Sequence, residues 1–290
     1  MVEIDSLVDS AMSKYGLPPW TKPFIYRYAR RSPVRAFKFA TSLVDIKRKK
    51  GRLGKDYISL PNGTKFKSES LAKLLCLFYY GEESMANVER RWASGKGEPN
   101  AVYSSRFEEM ASSDTRKARA IRNLIEGFGH RLDESPETIS KVFSSISGLE
   151  GWNERIVATG LLIRYSYSHT FGLIFYKAFY PVSPELMRSV GKAFDDGGER
   201  WDSTEALRII SSGEMGREQL LELARNVLAC VAYSIECNMH LAKELGIERE
   251  VKLLMDISIA YPFEVLKEHG IELDVPQEVA RAIRHSREVF

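Results

Sequence analysis

A chain of 290 residues with 44% hydrophobic and 28% charged side chains has ample material for a buried core, as one large domain or two small ones. Met1-Val2-Glu3-Ile4-Asp5 is not a basic stretch leading into an apolar run, so no signal peptide is expected. The most apolar region, Ile156 to Tyr180, is interrupted by Arg164, His169 and Lys177, which favours a buried helix over a membrane span. Three cysteines (Cys76, Cys230, Cys237) lie in apolar stretches without CxxC spacing, the pattern of reduced core thiols in a cytoplasmic protein.

The net charge of +3 conceals an asymmetry. Between Lys22 and Lys55 there are twelve basic residues against one acid, Asp45, with Trp20, Phe24, Tyr26, Tyr28, Phe37 and Phe39 in or beside the same segment. Such a segment either packs its aromatics on the acidic remainder of the chain or contacts nucleic acid or another acidic partner.

In chain order, a short helix over Ile4–Tyr15 is broken by Pro18, Pro19 and Pro23. A helical stretch from about Phe24 to Lys50 follows, with a boundary at Ser32-Pro33. Gly51–Lys65, with Pro61-Asn62-Gly63, reads as a loop that can hold a small hairpin. The spacing then predicts helices over about Glu69–Ala93, Ser104–Phe128, Trp152–Phe179 and Pro184–Trp201. Asp202-Ser203-Thr204 reads as the start of another helix, and further helices are expected over Arg217–Leu245, Glu248–Tyr261 and Pro276–Arg287. No convincing alternation marks a longer strand, so the expected class is all-α. Three regions result: a basic N-terminal segment (1–65), a helical bundle (66–245) and a C-terminal extension (246–290).

Two segments carry the most chemistry. Glu83-Ser84-Met85-Ala86 lies on the first long helix, and Asp114-Thr115-Arg116-Lys117-Ala118 on the second. Asp114 falls in phase with Phe107, Met110, Ala111, Ala118, Ile121 and Ile125. A carboxylate on an apolar stripe is costly unless a cation or hydrogen-bond donors satisfy it.

These segments resemble the ferritin-like superfamily, particularly its rubrerythrin-type and di-iron hydroxylase branches. Glu83-Ser84-Met85-Ala86 is similar to the first-helix Glu-Ser-x-Ala, and Asp114 to Ala118 stands where Glu-x-x-His-Ala is usual. Asp195-Asp196-Gly197-Gly198-Glu199 stands where the second half would carry Asp-Glu-x-x-His. The resemblance covers roughly residues 69–202. It implies an antiparallel four-helix bundle with extra N- and C-terminal helices, and an oxidoreductase holding iron or manganese on Glu83, Asp114, Asp196 and Glu199. Tyr165 and His169 are further candidate ligands, and a homodimer is compatible with such a bundle.

The departures from that pattern point the other way. Lys117 and Glu199 occupy the histidine positions, and Tyr165 stands where the second-half glutamate is expected. Lys117, one turn from Asp114, supplies positive charge without a metal, and Arg164 can do the same for Asp196 or Glu199. The sequence thus admits an oxygen-rich metal site or a metal-free buried salt-bridge network, and the lysine favours the network. Angle alone places Glu82 and Glu89 nearer than Glu83 to the face of Leu71, Leu75 and Phe78. The motif instead selects Glu83 as the inward residue, and Glu83 is the expectation. His240 near Cys237 reads as a core histidine, while His130 and His269 border glycines at expected helix ends. No Walker A loop, Rossmann fingerprint, GxSxG or HExxH occurs, which removes the common nucleotide-binding and hydrolase classes.

Overall fold

A computed structural model describes residues 52–53, 56–59, 65–94, 100–133, 139, 143–144, 146–163, 198–227, 243 and 265–271. Within them the chain is mostly helical, with one small sheet. Strands β1 (Arg52–Leu53), β2 (Tyr57–Ser59) and β3 (Lys65–Lys67) form an antiparallel meander in the order β1-β2-β3. The expected loop is therefore a three-stranded sheet, too short for alternation to announce it. Ile58 anchors it to the core at 0% exposure.

The sheet runs directly into α1 (Ser68–Ala93), where the Ser68 amide donates to the Asp56 carbonyl at 3.0 Å. Helix α2 (Ala101–Gly127) starts three residues earlier than expected, because the Asn100 side chain accepts the Tyr103 amide at 3.2 Å and caps it. It ends at Phe128, where Gly129 adopts φ 81° and lets the His130 amide return to the Ile125 carbonyl. His130 then meets Ser68 Oγ through Nε2 at 3.1 Å. At the other end, Trp92 packs edge-on against Phe107 at 5.3 Å. Contacts at both ends make α1 and α2 an antiparallel pair.

Helix α3 (Trp152–Val157) passes directly into a π-helical turn, Ala158–Ile163, whose residues are all buried. The expected continuation to Phe179 lies outside the described residues, as do most of the Pro184–Trp201 helix and the N-terminal and C-terminal helices. Helix α4 (Gly198–Ser212) corrects the expected break at Asp202-Ser203-Thr204. It runs straight through, because Asp202 is in step with Ala206 and Ile209 and all three are 0% exposed. Residues 217–227 are helical, in agreement with the start expected at Arg217. One core joins these elements, built from Leu71, Phe78, Phe107, Ile121, Leu161 and Ile209 among others. No described helix is long and apolar enough to cross a membrane.

Candidate functional site

Helix α1 buries one side chain every three or four residues: Leu71, Leu75, Phe78, Glu82, Met85, Glu89 and Trp92. This alternation of four and three is a seven-residue repeat, and it carries two glutamates into the core at the same repeat position. Glu82 and Glu89 are each 1% exposed. Glu83 lies off the stripe, half-buried, with its carboxylate accepting the Tyr79 hydroxyl at 3.0 Å. That hydrogen bond, after burial, raises the Tyr79 phenol. The choice of Glu83 as the inward glutamate is therefore corrected to Glu82: helical phase decides burial, and a local motif match does not.

Substitutions should show this difference directly. Glu82→Ala leaves a cavity among buried neighbours and is expected to lower the unfolding free energy by about 1–3 kcal/mol. Glu83→Ala should change it by no more than roughly 0.5–1 kcal/mol. Equal losses in urea titrations of the two variants would contradict the assignment.

Helix α2 supplies the facing groups. Phe107, Ala111, Asp114, Ala118, Ile121 and Ile125 form its buried stripe, with Met110, Lys117 and Leu124 alongside. Lys117 is 1% exposed, and its Nζ donates to Asp114 Oδ1 at 2.9 Å. Both side chains belong to one turn, so the pair closes without any other element moving. Three carboxylates and one ammonium thus share the interior along α1 and α2.

Of the four residues the resemblance nominates as ligands, only Glu83 and Asp114 have described side chains. Asp114 is buried and ion-paired, while Glu83 is on a different face of its helix. Asp196 and the Glu199 side chain lie outside the described residues, as do Tyr165, His169 and Arg164. Among the described residues no cluster of three or more His, Cys, Asp or Glu side chains has metal-holding geometry. Among the described residues, the cation beside Asp114 is the Lys117 ammonium at 2.9 Å.

A second charged group is buried where no motif or spacing announces it. Arg155 on α3 is 5% exposed, and its Nε donates to the Leu149 carbonyl at 2.9 Å. One of its terminal nitrogens reaches the Trp92 carbonyl at 3.4 Å. The guanidinium lies 4.7 Å from the Trp152 ring and 5.9 Å from Trp92. Burial lowers its pKa from the usual arginine value. Trp152 also stacks on Phe107 at 6.0 Å, and Tyr103 touches both Trp152 and Trp201 at the same distance. This aromatic cluster welds α1 to α4 together through their side chains.

At its rim, the Tyr103 hydroxyl donates to Glu205 at 2.9 Å, and Arg208 donates to the same carboxylate and to Glu214. Arg208 holds the Glu205 carboxyl below its ordinary range. An open cleft of about 330 Å³ is lined by Gly148–Gly151, Glu154, Gln219, Glu222, Leu223 and Asn226. Its three glutamates, Glu150, Glu154 and Glu222, are exposed or half-exposed.

No protein-family model, curated protein or solved structure matches the chain. The ferritin-like reading accordingly rests on the motif residues and helix pattern alone.

Proposed function

We propose that this chain is a ferritin-like helical protein in which a protein-only ion-pair network stands where relatives with intact motifs hold two metals, and that it works as a binding scaffold. The observation that carries the reading is Lys117, buried at 1% exposure and 2.9 Å from Asp114. A fixed ammonium repels a divalent ion from the same carboxylate, and it provides the neutralising charge that the metal would supply. Burying the pair costs desolvation and adds little net stability, so its role is to neutralise a carboxylate inside the core. The alternative, a metal-dependent oxidoreductase using iron or manganese, would require Asp114 to exchange its lysine for a metal. For the scaffold, the basic Lys22–Lys55 segment is the natural contact for nucleic acid or another acidic partner, and a cytoplasmic location suits three cysteines without CxxC spacing.

Thermal unfolding with and without a strong chelator tests the reading. The midpoint should not move, because no bound metal stabilises the folded state. A fall of several degrees in chelator, restored by added manganese or iron, would contradict it.

A further inference from the structure

We propose that the outer face of the β1-β2-β3 sheet is a platform for single-stranded nucleic acid, with a base stacked on Tyr57 and phosphates held by Lys65 and Lys67. The proposal extends the binding-scaffold reading by naming the surface and the partner class; it does not depend on the ion pair at Lys117.

Alternation along β2 sends Ile58 inward, at 0% exposure, and Tyr57 outward at 56%. The register sets Tyr57 opposite Lys67 and Ser59 opposite Lys65, and both lysines are exposed. On the other side, Arg52 is the backbone partner of Ser59. An aromatic ring on the central strand therefore stands beside two ammonium groups at cross-strand positions. The exposed Asp56 is the acid next to the ring in sequence, and its carbonyl is engaged by Ser68.

Lysines on an edge strand discourage sheet-to-sheet pairing, which accounts for Lys65 and Lys67. It does not account for a large aromatic left more than half exposed on the strand between two others. Ring and cations together match the chemistry of a single strand, whose bases are free to stack and whose phosphates are in reach. A duplex keeps its bases stacked internally and offers Tyr57 no face. The basic run of the N-terminal segment enters this sheet at Arg52, so its charge is continuous in sequence with the platform.

The test uses the full chain and fluorescein-labelled oligo(U), oligo(dT) and a duplex of equal length, read by anisotropy across a salt series. Binding to the single strands should exceed that to the duplex. Tyr57→Ala should weaken it roughly 5- to 150-fold, while Tyr57→Phe stays near wild type. Lys65→Glu with Lys67→Glu should reduce the salt slope by about 1.4, at about 0.7 for each phosphate no longer neutralised. Photocrosslinking of oligo(U) to the unaltered protein provides a readout free of folding effects, and the crosslinked peptide should contain Tyr57. The proposal is overturned by absence of binding at low salt, by preference for the duplex, or by crosslinks that avoid Tyr57. It is equally overturned if Tyr57→Ala binds like wild type while neutralising Lys47–Lys50 abolishes binding, since the N-terminal segment alone would then be the site. None of those failures touches the chelator result, which tests the ion pair separately.

Discussion

Lys117→Met is expected to destabilise the protein by about 3–5 kcal/mol, read by urea denaturation followed by circular dichroism. Methionine nearly matches the lysine in length, so packing along α2 is kept and the loss reports charge. What remains is the Asp114 carboxylate, with its side chain 12% exposed and its 2.9 Å partner gone. Adding Asp114→Asn to that variant should recover a substantial part of the loss, because an amide costs far less to bury than an unpaired carboxylate. A variant with near-wild-type stability at neutral pH would show that the pair does not hold the interior.

The second large effect is expected at Arg155. Arg155→Ala removes donors from the Leu149 and Trp92 carbonyls and empties the space beside two indole rings. The expected cost is about 2–4 kcal/mol, combining the charge-assisted hydrogen bonds with the ring contacts. Arg155→Lys should restore less than half of it, since a single ammonium lacks the forked donors that reach both carbonyls from beside Trp152. Arg122→Ala is the control: its pair with Glu126 at 2.8 Å is half exposed and screened by solvent, and its removal should leave the denaturation curve almost unchanged. If Arg155→Ala and Arg122→Ala lose equally little in denaturation curves, the buried guanidinium is not a structural link.

The positions of α1 and α2 could be read from the sequence because their apolar stripes persist over about five turns or more. Where phase and motif disagreed at Glu82 and Glu83, phase predicted the burial, since a one-residue shift rotates a side chain by about 100° around the helix. The start expected at Asp202 failed for a complementary reason. Asp, Ser and Thr favour caps locally, but Asp202 shares its phase with Ala206 and Ile209, and core packing overrides the local preference. Arg155 was invisible because its carbonyl partners, Leu149 and Trp92, come from separate stretches of chain and no spacing connects them. The sheet was half legible: turn residues announced a small hairpin within Gly51–Lys65, but strands of two or three residues cannot establish a period that fixes their number. Lys117 was the most readable feature of the site, since a partner three residues from Asp114 lies on the same helix face.

If Lys117, rather than a metal, neutralises the buried Asp114 carboxylate, the metal content of the protein decides the matter. Protein purified without chelators and analysed by inductively coupled plasma mass spectrometry should carry iron and manganese far below one ion per chain. Near-stoichiometric iron or manganese, lost when Asp114 and Asp196 are replaced together, would contradict the account and place a working metal centre in the bundle.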